Sequence, residues 1–476
     1  MTVSGVHCGP GVKQVTWSAY APPCEPAFHG NNGGATSQGV TGSTITLSAR
    51  LVSSGEFGAV ASIAGPALGV PPGTSAVQFQ QDQLDVMSQY LKLFNKSYEL
   101  YGRQVVIKTF NGQGDPLQEI QGQDLSGALA DAATAKTMHA FGDVSSLIAG
   151  GDTEPYEADL AQNGIMSFGA LYMPQQWFQQ YSPYGYGASF PNGTALGTAA
   201  AQYVCGHLAG LPVSHAGGGL DGKPRVWGLA VPENPYYADI GNQIQSTLAG
   251  CGVKLAARVN YALDITTAQQ QATNAVAQLK SAGVTTVICA CDPIVPSFVT
   301  QAAIQQSYYP EWGTLWWGDP LGRLGQTSEM TNAISFGTLA QYPVPSQTEA
   351  YQAFHLADPG VNPATEFLYY PQLYEELLLL FDGLQAAGPD LTPQTFLRGL
   401  ESLPPASGGE FGVWNFQQDP YDPVASFQIG WWDPNATSNV DGEKGAWQGC
   451  NNGATFLEGN PSSWGPAHTQ PACFGS

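Results

Sequence analysis

The sequence predicts an α/β chain built as two Rossmann-like units with parallel sheets. Three observations predict it. Apolar, β-branched runs alternate with segments of helical spacing from residue 45 onward. The alternation restarts after the Gly- and Pro-bearing joint at 187–193. A late strand, AISFGTLA (333–340), then precedes a long amphipathic stretch at 366–388 and short strands ending near 432. Strand–helix alternation is the pattern of a parallel sheet covered by helices. A chain of 476 residues, 43% of them hydrophobic, is long enough for two cores and too long for one.

The elements follow in order. ITLSARLV (45–52) is a β-branched run ending in the turn Ser53-Ser54-Gly55, which fits a buried parallel strand. In 79–96, Phe79, Leu84, Met87, Tyr90, Leu91 and Phe94 recur at helical spacing. QVVIKTF (104–110) is a strand, 127–138 a helix, VSSLIAG (144–150) a strand, 154–164 a helix and IMSFGA (165–170) a strand. The second unit reads helix 194–210, strand 225–231, helix 237–250, strand 253–261, helix 267–283, strand 284–291, helix 297–306 and strand 313–319.

Composition narrows the function. Only 15 Lys and Arg stand against 37 Asp and Glu, a net charge of -22, so nucleic acid is not an expected partner. No run of about 20 apolar residues spans a membrane. The opening MTVSGVHCGP has no charged stretch followed by an apolar run, so no leader is expected within it. The seven His are scattered and no CxxC occurs, so no metal site is expected, and no cofactor is implied. Neither GxSxG nor HExxH is present. GGGLDGK (217–223) resembles a phosphate loop, but Pro224 stands where Ser or Thr is needed and a strand follows. No catalytic residue is expected.

Eight cysteines point to an oxidising compartment, extracellular or periplasmic. The local pairs Cys8–Cys24 and Cys450–Cys473 are expected to staple the Gly- and Pro-rich ends, 1–40 and 433–476, and Cys205 is expected to pair with Cys251. Cys289 and Cys291 sit two residues apart, about 7 Å in an extended strand, which leaves either free thiols or a strained bridge.

Four stretches together resemble the type I solute-binding proteins of ABC importers, in the branched-chain amino-acid and amide branch. They are LFNKSYELYGRQVVIKTFNGQGDP (93–116), RVWGLAVPENPYYADIGNQIQSTLAGCGVKL (225–255), AQLKSAGVTTVICACDP (277–293) and YYPQLYEELLLLFDGLQAAG (369–388). The resemblance covers roughly residues 40–432. It implies two lobes joined by three crossovers: 41–190 plus 337–410, and 191–336 plus 411–432. It also implies a ligand cleft between them and a membrane ABC permease as partner. The long loop at 169–187 departs from the family pattern.

A cleft between parallel sheets is lined by the turns after the strands. In lobe one these hold Ser54, Glu56 and Phe57, then Gly151, Asp152 and Thr153, then Gly169 and Ala170. By resemblance, the turn at 151–153 holds an amino acid's carboxylate, with Thr153 as the hydroxyl. Equally, Asp152 or Thr153 caps the helix that follows. In lobe two, the resemblance implies an aromatic over the ligand, matched by Tyr236, and acidic groups on its ammonium. Asp292 and Asp319 are ammonium partners or bond to loop amides instead. The expected function is capture of a small polar ligand, amino-acid-like or amide-bearing. A secreted amide or ester hydrolase and a sensor subunit are the alternatives.

Overall fold

The structure is a computed structural model and describes residues 1–51, 74–148, 153–170, 173–315 and 319–464, together with 65, 70, 469 and 473. Ser54, Glu56, Phe57, Gly151 and Asp152 lie outside the described residues.

Two sheets organise the chain. The first has five parallel strands in the order β2-β1-β3-β4-β5: β1 Thr44–Leu51, β2 Gln104–Asn111, β3 Gly142–Asp143, β4 Met166–Phe168 and β5 Gly185–Tyr186. β1 lies between two neighbours and is buried over its six inner residues. Ile45, Leu47 and Ala49 enter the first core, while Ser48 and Arg50 are buried on polar partners. The second sheet is parallel through β6 Trp227–Pro232, β7 Leu255–Tyr261, β8 Thr286–Cys289, β9 Glu311–Leu315 and β10 Ala333–Gly337. Three antiparallel strands close its far side: β11 Ser426–Thr437, β12 Lys444–Gly449 and β13 Thr455–Leu457. The chain thus crosses between the sheets three times: after β5, after β10 and before β11.

Each sheet carries its own core. The helix Tyr370–Ala386 packs on the first, against the helices Ala76–Ser97, Glu349–Ala357 and Pro393–Ser402. It is buried nearly all round, so its leucines leave no polar face. The amino-terminal segment does more than extend the fold: Val15, Tyr20 and Ala21 belong to the first core. Phe411, Trp414 and Phe416 belong there too, so the third crossing falls after Phe416 rather than at 411. The carboxy-terminal tail likewise enters the second core through Trp447, Phe456 and Trp464.

One predicted element is corrected. The strand predicted at 144–150 is confined to β3, at 142–143, and a 3-10 turn follows at Ser145–Leu147. The Asp143 carboxylate accepts the Ser145 amide and the Ser48 and Tyr156 hydroxyls, which bends the chain out of the sheet. The cysteine pairing that the sequence left open is also decided. Cys8–Cys24, Cys205–Cys251 and Cys450–Cys473 pair as expected, and Cys289 pairs with Cys291. β8 ends at Cys289, so the extended spacing does not apply, and the two Cα atoms stand 4.9 Å apart.

Candidate ligand cleft

Segments that follow β2 and β3 of the first sheet and β6 and β7 of the second line a common gap: 119–125, 154–155, 233–236 and 262–264. From lobe one, the helix Glu154–Gln162 begins at its edge with Thr153 as N-cap. The Trp177 indole donates to Glu154 Oε1 at 3.2 Å. Ala170 is buried with Met173, Trp177 and Phe178, and Tyr181, Tyr236 and Tyr421 pack against them. β4 leaves the sheet through Gly169 at φ 96°, where a Cβ would meet the Leu147 side chain at 2.7 Å. Only glycine makes this turn without strain.

From lobe two, the helix Pro235–Gly250 begins at the opposite edge. Asn234 caps it through Oδ1 on the Tyr236 amide, and Pro235 occupies the first turn, where it costs no hydrogen bond. The other end of Asn234 reaches across: its Nδ2 donates to the Ile120 carbonyl of lobe one at 2.8 Å. Tyr236 is half-buried. Burial, and behind it the Glu154 carboxylate, raises its hydroxyl well above the ordinary phenol value. Glu154 therefore meets an aromatic from each lobe, Trp177 and Tyr236.

Three predicted ligand contacts are engaged elsewhere. Thr153 is fully buried, and its hydroxyl accepts from Arg50 at 2.8 Å. Asp292 spends one oxygen on the Tyr261 hydroxyl and the other on the amides of Ile294 and Val295. It forms one wall of an apolar cavity of ≈ 170 Å³ at the cleft mouth, with Leu117, Ile120, Tyr237, Leu263 and Phe298. Asp319 is 1% exposed and holds the tail, accepting from the Ser438 hydroxyl and the Trp447 amide. Both acids accept backbone amides, Asp292 while also lining that cavity. Asp319→Ala strands two buried donors and is expected to cost about 2–3 kcal/mol of stability, with little change in ligand affinity. A melting curve and calorimetry on the same sample check both halves.

The structure also adds residues that the sequence reading had not singled out. Trp177 and Tyr181 come from the atypical loop at 169–187, whose aromatic content was the one signal. Leu117 and Ile120 sit on a short helix, Pro116–Ile120, capped by Asp115 in the Asp-Pro step. Among the described residues, no group of three or more His, Cys, Asp or Glu converges as a metal site would require. No described helix is long and apolar enough to cross a membrane.

No family model matches the sequence, and no curated protein matches it. Solved structures do. An extracellular ligand-binding receptor from Verminephrobacter eiseniae is 12% identical, with 84% of this chain and 99% of that one covered at a TM-score of 0.56. A solute-binding protein of an ABC transporter from R. palustris, in complex with 4-hydroxybenzoate, is 13% identical over 87% and 97% at 0.60. An ABC transporter substrate-binding protein from Desulfitobacterium hafniense, in complex with Leu, is 12% identical over 85% and 99% at 0.53. At this identity the likeness establishes the fold, that of the type I periplasmic binding proteins.

Proposed function

We propose that this chain is the extracellular solute-binding receptor of an ABC importer. It captures a small polar ligand, amino-acid-like or amide-bearing, between its lobes and presents it to a membrane permease. One observation carries the reading. Segments that follow strands of both parallel sheets line a common gap, and side chains from both, Glu154 and Trp177 against Asn234 and Tyr236, meet there. Such a gap is where open α/β sheets bind ligands, and three crossing segments provide a hinge for closure.

The crossings are built to bend together. Gly187 donates to the Tyr421 carbonyl at 2.9 Å, and Asn192 donates to Asp419 at 3.0 Å, tying the first crossing to the third. Glu376 accepts the amides of Ala188 and Ser189 and the Ser189 hydroxyl, anchoring the first crossing to lobe one. Closure then moves lobe two about a fixed root.

Native mass spectrometry of the purified protein, followed by calorimetry with amino acids and amides, tests the reading. The expected outcome is stoichiometric binding without turnover. Tyr236→Ala is expected to weaken the identified ligand about ten-fold, ~1.4 kcal/mol, by removing one wall of the gap. Steady hydrolysis of the ligand, or affinity unmoved by Tyr236→Ala, overturns it.

A further inference from the structure

A separate chamber lies at the hinge, walled by both lobes. The first crossing contributes Phe190, the second Leu339 and Tyr342, and the start of the helix Tyr370–Ala386 contributes Tyr370, with Tyr369 just before it. Its cavity volume is ≈ 90 Å³. The lining is mostly apolar and aromatic, with two carboxylates set among the rings: Glu375, 6% exposed, and Glu410, which accepts the Ala350 amide. No cation pairs with Glu375 among the described residues. Its charged neighbours are all acids: Glu376 on its own helix, Glu410 from the segment after the helix Pro393–Ser402, and Asp422 from the third crossing.

We propose that this chamber is a second ligand site, selective for a compact organic cation of the trimethylammonium class. Aromatic faces attract a cation through their quadrupole, and more strongly when water is excluded. A buried carboxylate without a partner is costly, so it takes a proton or a counter-ion. A diffuse, weakly hydrated cation satisfies both the rings and the acid. A phosphate, carboxylate or sugar satisfies neither. The site stands on residues distinct from those of the central cleft and does not rest on the transport reading.

Binding has a proton signature. Burial and the neighbouring acids hold the Glu375 carboxyl well above the usual carboxylate range. The phenols of Tyr342, Tyr369 and Tyr370 are raised too and stay neutral. Beyond them, Arg323 and Asp441 pair with each other. Cation binding therefore displaces the Glu375 proton to solvent, and affinity rises with pH.

Calorimetry with choline and its uncharged isostere 3,3-dimethylbutan-1-ol, between pH 6 and 8 in buffers of different ionisation enthalpy, tests this. Choline is expected to bind about ten-fold or more tighter than the isostere, with affinity rising with pH and a proton released. Glu375→Gln, checked for an unchanged melting profile, removes that preference while the isostere is unaffected. Leu339→Trp fills the chamber without altering its charge and abolishes binding of both. Equal binding of choline and isostere, no binding of choline, or choline binding untouched by both variants overturns the proposal.

Discussion

Replacing Arg50 by Met is expected to lower the unfolding free energy by about 3–5 kcal/mol, the cost of stripping one partner from a buried ion pair. Arg50 is the penultimate residue of β1 and is 2% exposed. It holds both oxygens of Glu119 at 2.8 and 2.7 Å and Asp131 Oδ2 at 3.3 Å. It also donates to Thr153 and lies 3.8 Å from the Tyr156 ring centroid. Glu119 and Asp131 are 1% and 0% exposed, so neither recovers water when the guanidinium is gone. The cluster binds together the helices Pro116–Ile120, Leu125–Thr137 and Glu154–Gln162, whose ends border the cleft. The variant is therefore expected to weaken ligand binding as well.

Arg225→Met is the comparison. Arg225 grips Glu311 through two bonds of 2.9 Å with both side chains buried, but at the amino ends of β6 and β9, away from the cleft. It is expected to lose a similar 3–5 kcal/mol and to keep its ligand affinity. Urea unfolding and calorimetry on both proteins separate the two roles. An Arg50→Met protein within about 1 kcal/mol of the parent contradicts the argument.

What the sequence made legible follows from how locally each feature is determined. β6 and β8 are apolar runs because helices and neighbouring strands cover them, and composition alone reveals that. The helix Pro235–Gly250 announces its start through Asn234-Pro235. The two-residue β3 does not announce itself: VSSLIAG looks like a strand, and only the side chain of Asp143 turns it away. The acids were hardest. Asp319 has the residue type of an ammonium partner, yet its bonds go to Ser438 and Trp447, more than a hundred positions along the chain. No local pattern separates an acid that waits for a ligand from one that holds a distant loop. Glu376 was invisible for the opposite reason, a hinge anchor inside the leucine-rich run YEELLLL. Cys289-Ala-Cys291 turned on where β8 stops, and strand ends are among the least determined features of a sequence.

Stability is expected to fall steadily from pH 5 toward pH 8, the opposite of a protein whose buried acids are all paired. Burial pushes Glu157 up to about 8, opposed by the Ser146 hydroxyl bonded to it. Burial pushes Glu329, which accepts from the Trp312 indole, up to about 7. Glu349 rises to about 7 for the same reason. Asp382, Glu375 and Asp422 are raised well above the ordinary range, each chiefly by burial. The sign follows from proton counts. These carboxyls stay protonated in the folded chain, whereas in the unfolded chain they ionise near their ordinary values of about 4. Between the two values the folded state binds more protons, so its advantage is complete below about pH 4 and is lost as pH rises through 7 and 8. Each such group contributes about 1.4 kcal/mol per pH unit inside its window. The net charge of -22 acts in the same direction, since acidification relieves its repulsion. Glu157→Gln isolates one share. The neutral amide keeps the shape and cannot ionise, so the slope of stability against pH between 5 and 8 should shrink by up to about 1.4 kcal/mol per unit. Urea titrations at pH 5, 6, 7 and 8 measure both slopes. A parent protein whose stability is flat or rises across that range, or a Glu157→Gln slope equal to the parent's, rules the account out.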